Sequence, residues 1–349
     1  MQPLRLVSAQ SCAHRDPRRT GGWLLASNQR IKAMTKQAKV CLYLSDNLGG
    51  YGFPDGHPFG PDRQAAFWRE AQRQGLDKKV EIISSTLATR EEIERFHTPE
   101  HLDRVIALSN AGYGFIDYGD TPAFPGVYEA TAHVVGAALD GVKRIMKGDC
   151  KRTFQPIGGL HHARREHAAG FCVFNDLGVV VETLRAEYGV KRVGYVDIDV
   201  HHGDGMFYPF ESDPDLIYAD IHEDGRFLYP GTGTASETGK GKAQGMKLNI
   251  PMMPGSGDSE FLKVWPKVET LLRDKPPELI LFQCGADSIA GDPLAHLQYT
   301  PAAHAHAAKR LCLLADELCE GRIMAFGGGG YDRNNLAKAW SGVVRELLL

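Results

Sequence analysis

Residues 193–205 read VGYVDIDVHHGDG, an apolar run into which acids and histidines are inserted at regular intervals. The part from residue 193 to 200 predicts a buried β-strand, because it is short, rich in β-branched residues and followed closely by glycine. Successive side chains of a strand point to opposite faces of the sheet. The apolar and the ionisable residues of this run therefore separate, with Val196, Ile198 and Val200 on one face and Asp197, Asp199 and His201 on the other.

Similar apolar runs recur along the chain and alternate with helix-start signals. Further strands are expected at residues 154–157, 216–221, 279–284 and 323–326. Helix starts are indicated by a capping box at Thr89 and by Thr98 and Thr300, each of which precedes a proline. Apolar strands that alternate with helices are typical of parallel sheets buried on both faces. The sequence thus predicts a single α/β domain whose central, mostly parallel β-sheet is flanked by helices on both faces.

The overall composition is that of an ordinary folded protein. Of the 349 residues, 43% are hydrophobic and 24% are charged, and the formal net charge is −3. A chain without a basic surplus lacks the attraction to phosphates that nucleic-acid binding requires, and no apolar run approaches the roughly 20 residues that cross a membrane. Seven scattered cysteines without a C-x-x-C pair indicate a reducing compartment. We expect a cytoplasmic protein without a direct nucleic-acid or membrane partner; the sequence carries no signal for its oligomeric state.

The first 39 residues differ from the rest of the chain in their charge. They contain eight basic side chains, and Asp16 is their one acid. No apolar core follows, so the segment is not a secretory signal. A disordered tail and an over-extended start before Met34 are the two favoured readings, and organelle targeting is an alternative. Residues 1–38 are expected to be a basic, disordered leader, and residues 39–349 to form the folded domain.

The ionisable face of the strand at residues 193–200 predicts a metal site. Buried charges are costly unless they are paired, hydrogen-bonded or bound to a cation. A carboxylate and an imidazole are good ligands for a divalent ion, and Asp199 and His201 need one more protein ligand for an open catalytic site. Asp287, at the end of another predicted strand, is the candidate third ligand. The alternative is a buried ion-pair network without metal.

Two neighbouring histidines follow the strand predicted at residues 154–157. His161 and His162 come after two glycines, which allow a tight turn and a close approach to a ligand. Such pairs also occur on surfaces and in cores. Asp197 and Asp204 remain once Asp199 is assigned to the metal, and a carboxylate behind each imidazole would fix its tautomer. Two histidines supported in this way can act as general base and general acid.

Four glycines precede Tyr331 after the last predicted strand. Residues 327–331 read GGGGY and lack the Lys-Ser/Thr ending of a phosphate-binding loop. The segment can present the Tyr331 hydroxyl to a developing oxyanion. The alternative is a core tyrosine after a tight turn.

Taken together, these segments resemble the zinc-dependent histone deacetylase superfamily, which has the arginase-deacetylase fold. The resemblance covers about residues 40–349 and rests on motifs that occur in family order: Gly158–Ala163, Gly170–Cys172, Asp197–Gly205, Tyr229–Gly233, Gly285–Pro293 and Gly327–Tyr331. Residues Asp120–Gly126 are similar to bacterial acetoin-utilisation-type deacetylases, which are close to the class I enzymes. The resemblance implies that residues 39–349 are a deacetylase catalytic domain.

The resemblance also implies roles for individual residues. It assigns zinc, with iron as an alternative, to Asp199, His201 and Asp287. It makes His162 the principal base and acid, with His161 assisting, Asp197 and Asp204 supporting His161 and His162 respectively, and Tyr331 polarising the acetyl carbonyl. It implies substrate contacts by Asp120, Gly170, Phe171, Tyr229 and Leu294. It implies a structural monovalent cation, usually potassium, bound by Asp197, Asp199 and His201. Tyr229 departs from the family, which commonly has phenylalanine there, and the basic leader has no recognised counterpart.

The expected function is hydrolysis of the acetyl amide on the ε-amine of lysine in proteins. An enzyme for acetylpolyamines or other small acetylamides is the alternative, although the apolar Leu294 at the implied rim favours protein substrates. A catalytically silent acyl-lysine binding module is disfavoured, because it would not need the complete proton-transfer set. A binuclear, arginase-like site is disfavoured as well, because position 289 is isoleucine rather than a bridging carboxylate.

Overall fold

The computed structural model describes residues 40–54 and 56–349. Eight strands form one sheet in the order β2-β1-β3-β8-β7-β4-β5-β6, and every neighbouring pair is parallel. The strands are β1 (Val40–Tyr43), β2 (Glu81–Ile83), β3 (Arg152–Gln155), β4 (Val193–Asp197), β5 (Leu216–Glu223), β6 (Lys247–Met252), β7 (Leu279–Gln283) and β8 (Ile323–Phe326). The predicted α/β class is confirmed, and the sheet is wholly parallel. The leader predicted at residues 1–38 lies outside the described residues.

Helices connect the strands. The α-helices are α1 (Asp46–Gly49), α2 (Arg63–Arg73), α3 (Arg90–Ile93), α4 (Pro99–Ala111), α5 (Val127–Lys147), α6 (Asp176–Tyr188), α7 (Asp204–Phe207), α8 (Asp258–Asp274), α9 (Pro301–Leu318) and α10 (Arg333–Leu347), and short 3₁₀ turns lie at Tyr208–Phe210 and Gly241–Ala243. The Thr89 capping box is present, and the Thr98 and Thr300 side chains accept hydrogen bonds at the starts of α4 and α9. The predicted helix starts are therefore confirmed.

Two hydrophobic cores lie on opposite faces of the sheet. One is formed with helices α4, α5 and α6, and the other with α2, α8, α9 and α10. Alternation along each strand separates them: Tyr195 of β4 packs in the first core, and Val196 packs in the second. The apolar run that predicted a doubly covered strand is thus explained, because both faces of β4 are buried.

Strand β4 is shorter than the predicted strand at residues 193–200. The Ile198 amide still donates to the Gln283 carbonyl, but the amides of the next two residues donate to side-chain carboxylates. Asp199 N donates to Asp197 Oδ1 at 2.9 Å, and Val200 N donates to Asp287 Oδ1 at 3.0 Å. Side-chain acceptors therefore end the backbone ladder at Asp197, although Ile198 and Val200 still pack in the apolar core as predicted.

The sheet order brings the predicted catalytic segments together. Strands β3, β8, β7 and β4 are neighbours, and the polar segments after each one meet at their shared carboxyl edge. Among the described residues, no helix is long and apolar enough to span a membrane. The six described cysteines are free thiols and are buried.

Gly136 in helix α5 gives a prediction for stability. A Cβ at this position would lie 1.9 Å from the Thr86 carbonyl oxygen, so Gly136→Ala is expected to destabilise the fold by about 1–3 kcal/mol. Gly342 in helix α10 is the matched control, because the nearest atom to its added Cβ is 3.6 Å away. Gly342→Ala should be neutral or stabilising by up to about 1 kcal/mol. Urea denaturation of both variants measures the difference, and equal stabilities would contradict the prediction.

Candidate active site

The three predicted metal ligands meet at the carboxyl edge of the sheet. The candidate ligand atoms of Asp199, His201 and Asp287 all lie within 4.8 Å of one another, and the three residues are buried. His201 Nδ1 is 3.2 Å from Asp199 Oδ1 and 3.3 Å from Asp287 Oδ2. Burial opposes protonation of His201, but the two carboxylates raise its pKa to about 10. The three side chains thus form a buried cluster in which two negative charges act on one imidazole.

Hydrogen bonds orient the two carboxylates toward this centre. Asp199 Oδ2 accepts from Gln283 Nε2 at 2.9 Å and from the backbone amide of Gly329 at 2.8 Å. Asp287 Oδ1 accepts from Val200, whereas Asp287 Oδ2 is buried, makes no hydrogen bond and has the His201 imidazole nitrogen 3.3 Å away. A buried carboxylate oxygen without a hydrogen bond is costly. This oxygen, beside an imidazole and a second carboxylate, fits a divalent cation with oxygen and nitrogen ligands.

His161 is held by a buried carboxylate on strand β4. Its Nδ1 lies 2.8 Å from Asp197 Oδ2, which also accepts a hydrogen bond from the Tyr195 hydroxyl. Its Nε2 lies 3.1 Å from Nε2 of His162. Because a hydrogen bond between these two nitrogens needs one donor and one acceptor, only one of them carries the proton in that contact.

His162 has a different carboxylate partner, Asp204, which also pairs with Arg164. His162 Nδ1 is 2.8 Å from Asp204 Oδ1, and Arg164 donates to Asp204 Oδ2 at 2.7 Å. Burial would raise the pKa of Asp204, but its bonds to His162 and Arg164 lower it to about 2. Burial and the neighbouring His161 lower the pKa of His162 to about 4. At neutral pH His162 is therefore a neutral imidazole whose Nδ1 proton is directed to Asp204.

A pocket of about 210 Å³ leads from the surface to these groups. His162 and His201 line its floor. Tyr331 and Leu228 lie in its walls together with all the predicted substrate contacts, which are Asp120, Gly170, Phe171, Tyr229 and Leu294. The Tyr229 ring lies 5.1 Å from the His162 ring between centroids. The structure thus brings together every sequence-predicted site residue around one pocket and the cluster beneath it.

Phe171 forms a wall that is fixed through its backbone. Its φ is +67°, an unusual value for a residue with a side chain. Its carbonyl accepts from the Tyr51 hydroxyl at 2.6 Å, and its amide donates to the Thr121 hydroxyl at 3.1 Å. Two side chains from distant parts of the chain therefore hold Phe171 in place.

Tyr229 lies on a loop whose later residues are held by side chains of the sheet edge. His202 Nδ1 is 2.8 Å from the Thr232 hydroxyl, and His222 Nε2 is 2.9 Å from the Gly233 carbonyl. Tyr229 itself is 45% exposed. The hydrogen bonds that hold this loop are thus made at Thr232 and Gly233 rather than at Tyr229.

The rim of the pocket carries an organised acidic turn. Asp117 Oδ1 accepts hydrogen bonds from the backbone amides of Gly119, Asp120 and Thr121. Burial and the neighbouring Asp117 raise the pKa of Asp120 to about 7. Asp117 therefore fixes the position of Asp120 at the mouth of the pocket.

Arg63 is a site residue that the sequence did not indicate. It is fully buried, and it donates to the carbonyls of Gly330 at 3.0 Å and Gly328 at 2.6 Å. Asp292 accepts from the amide of Tyr331 at 2.8 Å. These two residues fix the glycine segment that carries Tyr331. Arg63 begins an amphipathic helix, where an arginine reads as a solvent-exposed residue, so nothing in the pattern distinguished it.

Burial also defines the state of the Tyr331 side chain. Burial and the charges of Asp287 and Asp199 raise the pKa of Tyr331 well above its usual value. Its ring lines the pocket and lies 5.9 Å from the Phe171 ring between centroids. A protonated hydroxyl is thus available in the wall of the pocket.

Comparison with known proteins identifies the class as deacetylase hydrolases, which are amide-cleaving enzymes. Residues 57–347 match the family model described as the histone deacetylase domain, and the chain belongs to this family. It is 34% identical over 308 residues to the acetoin utilization protein AcuC of Bacillus subtilis (strain 168), covering 85% of this chain and 79% of that protein. It is 31% identical over 324 residues to the histone deacetylase RPD3 of Saccharomyces cerevisiae, covering 89% and 73%. The solved structure of the HDA15 HD domain matches with a TM-score of 0.82 and 28% identity, over 89% of each chain.

Gly329 gives a prediction for the metal cluster. A Cβ on Gly329 would lie 2.0 Å from Asp287 Oδ2, so Gly329→Ala must displace the carboxylate. We expect divalent-metal affinity to fall at least about tenfold, the usual scale for disturbing groups that orient metal ligands. Competition with a chromogenic chelator measures this, with Gly342→Ala as the control. Unchanged affinity in a folded Gly329→Ala protein would contradict the prediction.

Proposed function

We propose that the protein is a zinc-dependent deacetylase that removes the acetyl group from the ε-amine of acetyl-lysine in proteins. The observation that carries the proposal is the convergence of the Asp199–His201–Asp287 cluster and two carboxylate-supported histidines beneath a pocket that His162 and His201 line. In the reaction, a water oxygen bonds to the acetyl carbon and the carbon–nitrogen bond breaks. The products are acetate and the free lysine amine.

In this proposal Asp199, His201 and Asp287 hold the zinc ion. A bound zinc ion lowers the pKa of a water ligand and polarises a carbonyl group. Iron is an alternative occupant, because sites with oxygen and nitrogen ligands accept both metals. The buried Asp287 Oδ2, which makes no hydrogen bond, supports this assignment.

Proton transfer is assigned to His162. As a neutral imidazole it accepts the proton of the attacking water and delivers it to the departing amine. Asp204 keeps the Nδ1 proton in place, and Arg164 keeps Asp204 ionised. His161, backed by Asp197, stabilises positive charge that develops on His162 at 3.1 Å.

The remaining pocket residues bind and polarise the substrate. The Tyr331 hydroxyl donates a hydrogen bond to the acetyl oxygen as negative charge develops there. Phe171 and Tyr229 form the walls beside the lysine methylenes, and the Gly170 carbonyl accepts the substrate amide proton. Leu294 and Asp120 lie at the mouth, where Asp120 would accept hydrogen bonds from the substrate backbone.

A monovalent cation is part of the proposal. Asp197, Asp199 and His201 would bind potassium mainly through carbonyl oxygens. Within residues 40–54 and 56–349, none of the hydrogen bonds outside helices and strands ends at the carbonyl oxygen of Asp199 or His201. These two oxygens are thus available to a cation.

A fluorogenic acetyl-lysine peptide assay tests the function. The metal-loaded protein should release the fluorophore, and a chelator should abolish the activity. Tyr331→Phe should keep its metal and fold but lose about 100-fold in rate, the usual effect of removing one oxyanion donor. Asp287→Asn should lose both activity and metal, with one metal equivalent per chain in the unmodified protein. Activity confined to acetylpolyamines would favour the small-molecule alternative, and tight peptide binding without turnover would favour a binding module.

The two histidines are expected to differ in a kinetic comparison. His162→Ala should lower kcat by about 10²–10⁴-fold, because it removes the group that moves the proton. His161→Ala should keep a larger residual rate, because its part is to stabilise charge. Both variants should retain metal, which elemental analysis can check. If His161→Ala is the more damaged enzyme, the assignment of the two roles is wrong.

A further inference from the structure

Lys247 is a buried lysine on the edge strand β6. Its side chain is 2% exposed, and its Nζ donates to the carbonyl oxygens of Asp213 at 2.9 Å and Leu216 at 2.5 Å. The ion pairs of residues 40–54 and 56–349 do not include this ammonium group. The Asp213 carboxylate is paired with Arg185, and the charges of Asp213 and Asp215 act on Lys247 from beyond ion-pair distance. A lysine is almost never fully buried without an acidic partner, so its surroundings need an explanation.

One acceptor lies in a turn, and the other is the first residue of the strand that follows it. Residues 211–215 connect the short helices after Asp204 to the start of β5, and Asp213 N donates to the Phe210 carbonyl at 3.0 Å. Asp215 N donates to Asp213 Oδ1 at 2.8 Å. The backbone of the turn thus directs its carbonyls toward the edge strand, where the ammonium group lies between them.

An ammonium group among carbonyl oxygens makes the interactions of a dehydrated monovalent cation. Lysine carries a compact charge with three donors, and backbone carbonyls are the ligands that replace water around potassium in proteins. Burial lowers the pKa of Lys247 to about 8, so the side chain keeps its proton at neutral pH. The positive charge that holds the turn is therefore present without any ion from solution.

We propose that Lys247 is a built-in substitute for a monovalent cation, and that removing its ammonium group converts the position into a binding site for free potassium or ammonium. The ligands of that site are the carbonyl oxygens of Asp213 and Leu216. It is separate from the potassium site assigned above to Asp197, Asp199 and His201, and it does not depend on the proposed function. The turn follows the segment that carries Asp204, so the covalently attached cation secures the chain behind the catalytic histidine.

Thermal unfolding of Lys247→Met in different chloride salts tests the proposal. The salts are potassium, ammonium, lithium and tetramethylammonium chloride at equal ionic strength. Methionine keeps the aliphatic stem and removes the charge. The variant should be less stable than the unmodified protein in tetramethylammonium and should gain about 3 °C or more in Tm in potassium and ammonium, as expected when a ligand binds only the folded state. Lys242→Met is the matched control, because Lys242 is an exposed lysine on the preceding turn.

The response of the unmodified protein is subtracted, because the site at Asp197, Asp199 and His201 also responds to potassium. An extra response confined to Lys247→Met supports the proposal, and an equal response of all three proteins overturns it. Lys247→Gln keeps two N–H donors without the charge; if it matches the unmodified protein in tetramethylammonium, the charge is unnecessary and the proposal is wrong. Failure of both variants to fold even in potassium and ammonium also overturns it. Thallium(I) anomalous scattering should show an ion beside the Asp213 and Leu216 carbonyls in Lys247→Met only.

Discussion

Burial of carboxylates at one edge of the sheet is the constraint on which the rest of the structure depends. Asp176, Asp197, Asp199, Asp220 and Asp287 are almost completely removed from solvent. Each buried negative charge must be offset by donors or cations, because its solvation is lost. Backbone amides of the strand ends, three histidines and two tyrosines supply most of these donors. The exception is Asp287 Oδ2, and the candidate metal cluster lies at that oxygen.

The same constraint explains why glycines surround the site. The carboxylates approach the backbone so closely that a Cβ on Gly285 would lie 1.9 Å from Asp199 Oδ2. The amide of Gly329 donates to that oxygen, and Arg63 holds the carbonyls of Gly328 and Gly330 on either side of it. The glycine segment before Tyr331 therefore donates a backbone hydrogen bond to a buried carboxylate and does not act as a phosphate-binding loop.

The sequence was most informative where ionisable and apolar residues alternate along a predicted strand. The convergence of Asp199, His201 and Asp287 could be predicted because each follows an apolar strand and the ends of parallel strands meet. The pocket walls, Phe171 and Tyr229 among them, came from the family resemblance and not from a pattern. Arg63 and Lys247 could not be predicted, because a long cationic side chain in an amphipathic element reads as exposed. The end of β4 at Asp197 was missed as well, because the carboxylates that take its amides come from the turn itself and from a distant segment.

The two aromatic walls of the pocket are held in different ways. Phe171 is bonded at its own amide and carbonyl, whereas the loop of Tyr229 is anchored at Thr232 and Gly233, beyond the ring itself. The bonds that hold the Tyr229 loop do not involve His161 or His162, so the shape of the pocket can change there without breaking the hydrogen bonds of these two histidines. The same does not hold near Phe171, because its neighbour Gly170 lies against His162, with an added Cβ only 2.6 Å from that ring. The pocket wall at Tyr229 can thus vary in shape more freely than the wall at Phe171, which is tied through Gly170 to the histidine beneath it.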